Sequence, residues 1–225
     1  MRLTIQIFAI LVVIAISNPV FARGRGGWNL GANFGLVNAE QKDMDSVIDT
    51  GGTGASDIGN GLEVTGSIGY SFGDVSMIFR PGYYWVSEEG TGSEYNMSAF
   101  SLMPMLRWNL LSNNTIAFYT QLGLGWHLMS GEIEDGTGSV EFSGSAIGYS
   151  GGLGAEFCFF GDHCFYLEAN LRIAEVDRMT VDDTSGTCPS GISQCGKSQE
   201  LELNQRDFSA SLSGIQGVIG YNLHF

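Results

Sequence analysis

A two-residue alternation of apolar with small or polar side chains recurs eight times in this chain, and only a β-sheet can use a pattern of that period. The first segment carries Trp28, Leu30, Ala32, Phe34 and Leu36 in one phase, and the second Leu62, Val64, Ile68, Tyr70 and Phe72. The third carries Val75, Met77, Phe79, Tyr83 and Trp85, and the fourth Phe100, Leu102, Leu106 and Trp108. The fifth is the most regular, with Ile116, Phe118, Leu122, Leu124, Trp126 and Leu128. Ile147, Tyr149, Leu153, Ala155 and Phe157 mark the sixth, and Phe165, Leu167, Ala169, Leu171 and Ile173 the seventh. Ile215, Ile219, Tyr221, Leu223 and Phe225 mark the eighth.

The connections alternate in length. Tight turns at 73–74, 111–114 and 160–163 are separated by four long segments, 39–61, 87–96, 131–144 and 177–207, which read as loops. Short turns on one side and long ones on the other are the pattern of an up-and-down barrel with both termini at the short-turn end. A soluble eight-stranded barrel alternates in the same way, so the faces must decide. The apolar phase holds no charge, whereas the opposite phase is rich in glycine and serine: Gly31, Gly35, Ser67, Gly69, Gly123, Gly125, Gly152 and Gly154. A water-facing exterior would carry Lys and Glu, yet Lys42 and Lys197 are the only lysines. The apolar phase therefore faces lipid. The small phase faces a narrow lumen. Aromatic side chains gather near both ends of the segments, as two interfacial girdles would. The expected fold is all-β, an eight-stranded antiparallel up-and-down transmembrane β-barrel.

Location follows from the N-terminus. Arg2, an apolar stretch from Ile5 to Ile16 and the small-x-small end Val20-Phe21-Ala22 read as a signal peptide over residues 1–22, cleaved after Ala22. Residues 23–225 are then the barrel, exported to the cell outer membrane. A formal charge of −14 excludes a basic footprint for nucleic acid. The cysteines form two close pairs, Cys158/Cys164 and Cys188/Cys195, which in an exported chain predict two disulfides. Cys158, His163 and Cys164 are three potential metal ligands in one turn, but a fourth at zinc-like spacing is missing, so no metal and no cofactor are expected.

The ending Tyr221-x-Leu223-x-Phe225 resembles the C-terminal aromatic signature by which outer-membrane barrels are recognised for insertion. The run 151–157, Gly-Gly-Leu-Gly-Ala-Glu-Phe, is similar to the glycine-rich strands of the small OmpA/OmpX/opacity-like and OmpW-like barrels. That resemblance covers the mature chain and implies the outer-membrane assembly machinery as a partner, with no catalytic residues.

Two local features depart from an ideal barrel. Pro81 and Pro104 fall inside the third and fourth segments, where a closed barrel has no edge to accept them, and are expected to face each other in one irregularity. In the last segment the apolar phase shifts from Phe208/Ala210/Leu212 to Ile215/Gly217/Ile219, which reads as a β-bulge at Ser213-Gly214.

The polar phase carries six charges, Glu63, Arg80, Arg107, Glu156, Glu168 and Arg172. Buried charges need partners, so an internal salt-bridge network joined by Gln121, Tyr166 and Asn170 is expected. Its consequence is a plugged lumen; its sharper version is a gate. An enzyme would need a nucleophile setting. His127, Ser130 and Glu132 lie close in sequence, but no Gly-x-Ser-x-Gly element accompanies them, and His127 is expected to cap the lumen through hydrogen bonds. The long loops are acidic, with Asp43, Asp45, Asp49, Asp57, Glu88, Glu89, Glu94, Glu132, Glu134, Asp135 and Glu141. The leading expectation is a non-enzymatic barrel whose loops meet lipid, lipopolysaccharide or an extracellular partner. The alternative is a narrow OmpW-like channel for small or hydrophobic solutes, and the third is a lipid-modifying enzyme.

Overall fold

A computed structural model describes residues 27–39, 41–51, 60–90, 92–113, 115–159 and 162–225. The predicted signal peptide 1–22 and the loop residue Asp57 lie outside the described residues. Eight long strands form the frame: β1 (Gly27–Ala39), β2 (Asn60–Phe72), β3 (Val75–Gly90), β4 (Ser93–Ser112), β5 (Ile116–Glu134), β6 (Gly138–Phe159), β7 (His163–Ile173) and β14 (Gly214–His224). Each pairs antiparallel with two of the others. β1 meets β14, and β5 meets β6 from Ile116↔Phe157 to Glu134↔Ser139, so the eight form a ring. Up-and-down order is what short hairpins dictate. At the β2–β3 turn Gly73 takes φ +80°, the positive-φ first position that a two-residue turn needs to match the twist of its strands.

The alternation sets the two faces. Leu122 is 70% exposed and Ile147 67%, while Gln121 between the outward neighbours of β5 is 1% exposed. Aromatic rings cluster at the short-turn end, Trp28 on Tyr70 at 5.2 Å and Phe165 on Tyr221 at 5.4 Å. The final residue is tied into the ring, since Phe225 and Trp28 exchange two backbone hydrogen bonds of 2.9 Å.

Many glycines of the inward phase make room for specific rings. A Cβ on Gly154 would come within 2.3 Å of the Tyr119 ring, and one on Gly220 within 2.3 Å of the Tyr166 ring. These glycines seat lumen tyrosines as well as narrowing the bore.

Strands β4 and β6 run to 20 and 22 residues, about twice the 9–11 that a tilted strand needs to cross a bilayer. They rise above the membrane. Segments 87–96 and 131–144, read from sequence as loops, are mostly strand: β3 runs to Gly90, β4 starts at Ser93, and β5 and β6 are joined by a short turn at 135–137. The reason is a second alternation of opposite polarity: Tyr95, Met97, Ile133, Val140 and Phe142 point inward and are almost fully buried, with carboxylates between them on the outside. Over this extension lie helix α1 (Lys42–Gly51), which contributes Met44 and Val47, and the segment between β7 and β14. That segment holds β8 (Glu175–Val176) paired with β13 (Ala210–Ser211), β9 (Thr180–Gly186) added beside β6, and a small sheet of β10 (Ile192–Gln194), β11 (Glu202–Leu203) and β12 (Arg206–Asp207). Phe208, Leu201, Leu212 and Met179 are completely buried among these elements.

Two local expectations are corrected. Pro81 pairs with Leu102, and Pro104 with Phe79, in an unbroken β3–β4 ladder, so the prolines are diagonal neighbours on the lipid face and do not oppose each other. Each interrupts a different ladder: β2–β3 pairing lapses between Thr65↔Gly82 and Ile68↔Phe79, and β4–β5 pairing between Leu102↔Trp126 and Met105↔Gly123. A proline lacks the N–H for one neighbour only, and here the neighbour is different in the two cases. No bulge is present at Ser213-Gly214, because the register is the same from Ala210↔Val176 through Gly214↔Arg172. The apolar phase changes there because Phe208, Ala210 and Leu212 face the core above the ring, while Ile215 and Ile219 face outward.

Candidate functional site

The lumen inside the membrane is filled and mostly polar, with one small apolar cluster of Ile78, Met103 and Met105. Arg80, on β3, forks onto Glu168 of β7 with Nη1–Oε2 at 2.8 Å and Nη2–Oε1 at 3.0 Å. Arg107 of β4 reaches the same carboxylate at 3.1 Å and Glu156 of β6 at 3.5 Å. The Tyr119 hydroxyl donates to Glu168 Oε1 at 2.8 Å, and the Arg107 guanidinium lies 3.9 Å above the centre of that ring. Nearer the long-strand end Arg172 of β7 places Nη1 3.0 and 3.1 Å from the two oxygens of Glu63 on β2.

Amides join the two groups. Gln121 donates to Asn170 at 2.9 Å, Asn170 donates to Glu168 at 3.3 Å and to Gln216 at 3.5 Å, and Gln216 donates to Glu63. Asn33 donates to the Tyr166 hydroxyl at 2.8 Å. All six charged residues named from sequence thus stand in one connected path, with Gln121 and Asn170 as links and Tyr166 beside it. Sequence reasoning missed Tyr119, Gln216, Asn222 and Asn33. Their positions in the inward phase of mapped strands were the available signal. A carboxylate that holds two guanidiniums and a phenol in the interior is satisfied in a way an isolated ion could not be.

At the short-turn mouth, Asn222 donates to Glu156 Oε2 at 2.9 Å and His224 Nε2 lies 2.9 Å from Oε1. The Cys158–Cys164 disulfide faces the same mouth and links residues directly opposed in the β6–β7 ladder. His163, the first residue of β7, instead meets the Tyr221 hydroxyl on the outer face. The second disulfide, Cys188–Cys195, closes a loop at the opposite end of the ring, in the segment between β7 and β14.

His127 does not cap the lumen through hydrogen bonds. It is fully buried, and neither ring nitrogen has a partner among the described residues. Ser130 and Glu132 lie on the outer face of β5, opposite in phase to His127, so the three form no catalytic arrangement. Ser130 shares a hydrogen bond of 3.0 Å with Ser98.

The outer face of the extension carries carboxylates in rows. Glu94 is paired with both Glu89 and Glu134, and Glu141 with both Glu132 and Asp183, each directly across a strand boundary. Directly opposed like charges destabilise a sheet. Partial burial, together with Glu141, Glu134 and Glu94, raises the Glu132 carboxyl above its usual range. Asp135 behaves oppositely. Burial resists its ionisation, but N–H and hydroxyl donors from Thr137 and the backbone N–H of Ser190 at 2.8 Å hold it well below the usual range. That carboxylate ties the β5–β6 turn to the loop closed by Cys188–Cys195.

The profile described as "Outer membrane protein beta-barrel domain" matches residues 8–214. No curated protein matches the chain. Among solved structures, the chain is similar to OprG from Pseudomonas aeruginosa (15% identity, TM-score 0.54, covering 91% of this chain and 98% of that one). It is similar to Ail, the attachment invasion locus protein of Yersinia pestis (13%, 0.51, 89% and 99%), and to Neisserial surface protein A (11%, 0.51, 88% and 97%). At these identities the likeness is one of fold.

Proposed function

The chain belongs to the outer-membrane protein β-barrel family, and from that premise we propose that it is a closed, non-enzymatic anchor that holds a compact acidic body on the cell surface. The observation that carries this reading is that side chains fill the bore at two levels. Inside the membrane the lumen is crossed by the path from Glu156 to Glu63, and above it by a core of Met, Val and aromatic side chains. An ion would have to displace buried ion pairs and then cross an apolar layer, and each step is costly.

The carboxylate rows are the interaction surface of this reading. They begin two rows above Phe100 and Leu128, the last apolar pair of the lipid face, which is the depth of the headgroups. Anionic lipopolysaccharide would meet this face through divalent cations, for which clustered carboxylates are suitable oxygen donors. Export through a signal peptide cleaved after Ala22 and insertion by the assembly machinery acting on Tyr221, Leu223 and Phe225 complete the proposal.

Planar-bilayer recordings on the purified barrel test it. The expected result is no unitary conductance; reproducible single-channel steps, lost in an Arg107→Ala variant, would establish the narrow channel instead. Lipid A from cells expressing the chain is expected to keep its mass. A new lipid A species that disappears with His127→Ala would establish the enzyme reading.

A further inference from the structure

We propose that the periplasmic mouth of the barrel becomes a zinc site when the Cys158–Cys164 disulfide is reduced. Glu156, Cys158, Cys164 and His224 bring one oxygen, two sulfur and one nitrogen atom within 4.8 Å of one another. Sequence spacing cannot show this set, because His224 comes from β14, which the sheet order places beside β7 and so near Cys158 and Glu156 of β6. Two sulfurs, an imidazole and a carboxylate are a donor set that suits tetrahedral zinc.

The scaffold keeps these atoms together without the S–S bond. Cys158 and Cys164 are a ladder pair, the Cys158 N–H donates to the Thr115 carbonyl at 2.7 Å, and the His224 N–H donates to the Asp162 carbonyl at 2.9 Å. Reduction therefore frees two sulfurs at positions that backbone pairing already fixes. Glu156 Oε1 already faces both His224 Nε2, at 2.9 Å, and Cys158 Sγ, at 3.7 Å.

Charge favours the occupied state. Two thiolates and one carboxylate carry three negative charges, which a zinc ion and the Arg107 guanidinium beside Glu156 neutralise together. Arg107 Nε, Asn222 Oδ1 and Asn29 Oδ1 are buried here without partners among the described residues, and polar groups so placed can orient metal ligands from behind. Arg107, Asn29, Glu156, Cys158 and His224 line one cavity at the short-turn end. The chemistry balances with a dithiol reductant: its two sulfurs are oxidised to a disulfide, the cysteines become two thiols, and zinc binding releases their two protons.

The test uses the folded barrel in micelles, carrying Cys188→Ser and Cys195→Ser so that one disulfide remains, and a phosphine reductant removed before metal is added. Cobalt(II) is the probe, since thiolate coordination gives charge-transfer bands and tetrahedral geometry gives intense visible bands. One cobalt per chain, displaced by zinc and seen only after reduction, is expected. His224→Ala and Glu156→Gln should each weaken binding by about tenfold or more, while heat-dependent gel mobility shows that the barrel still folds. A reduced, folded barrel without thiolate–cobalt bands would overturn the proposal, as would bands and affinity identical in both variants. Thiols that stay oxidised in the folded protein under reductant would overturn it too.

Discussion

Within the membrane, this chain is mostly polar inside, Ile78, Met103 and Met105 apart, and apolar outside; above the membrane, the same strands are apolar inside and acidic outside. On β5 the switch occurs within a few residues, from outward Leu128 and inward His127 to outward Glu132 and inward Ile133. The strand geometry does not change, and its alternation carries straight through. What changes is the solvent on the outer face. The outside must match lipid below and water above, and the inside takes the complementary residues. A side chain's role here is set by its phase together with its height.

The largest expected effect comes from breaking the polar half. Glu168→Ala leaves Arg80, Arg107 and the Tyr119 hydroxyl without their shared acceptor. Orphaned buried charges put the loss at about 5 kcal/mol, read as a lower urea midpoint for the barrel in micelles. A loss under about 1 kcal/mol would mean that the network is hydrated and exchangeable, and the claim of a plugged bore would fail. The apolar half should yield next. Phe142→Ala removes a ring packed 5.3 Å from Phe208, at about 4 kcal/mol on the scale of buried aromatic truncations. Hydrogen exchange should rise in β9 and the upper ends of β5 and β6, and the membrane half should stay protected.

The two halves were not equally readable in the sequence. The lipid face was legible because one rule governs it: no charge is tolerated, so Leu122, Leu124 and Trp126 declare themselves. The six lumen charges were legible as a set but not as a path, because pairing across the bore depends on side-chain reach between strands that are not neighbours in the ring. The extension was hidden. Glu132-Ile133-Glu134 and Val140-Glu141-Phe142 alternate as strictly as any membrane segment, but their polarity is that of a soluble sheet, and a lipid-facing template passes over them. Met44 and Val47 of α1 lie three residues apart in an acidic stretch, and their burial depends on the top of the core being in place.

A charge scan would sharpen the boundary between the halves. Arginine at Leu122, midway along the lipid face, should cost about 3 kcal/mol. Arginine at Ser139, directly opposite Glu134 on the extension, should change stability by less than about 0.5 kcal/mol. Equal costs at the two positions would place both faces in the same medium and remove the basis for reading the extension as extracellular.

The smallest effect separates two carboxyls within the extension by pH. Glu132 has a raised carboxyl, so its folded form takes up a proton before the unfolded chain does. Its charged state therefore costs stability, and some is regained as pH falls through the window above the ordinary glutamate value of 4.5. Asp135 has a lowered carboxyl, so the stability from its Thr137 and Ser190 hydrogen bonds is present above the ordinary aspartate value of 3.8. That stability is lost as pH falls below 3.8 toward the folded value. Acidification from neutrality should therefore slow proteolysis of the β5–β6 hairpin slightly and then speed it. Glu132→Gln should remove the first limb and leave the second, while Asp135→Asn should do the reverse. Both carboxyls are only partly buried and lie at the water-facing surface, so each limb is small and shrinks in high salt. A monotonic profile in the unmodified chain would mean that the carboxylate rows do not feel one another, and the strongest reason for expecting divalent cations on that face would be gone.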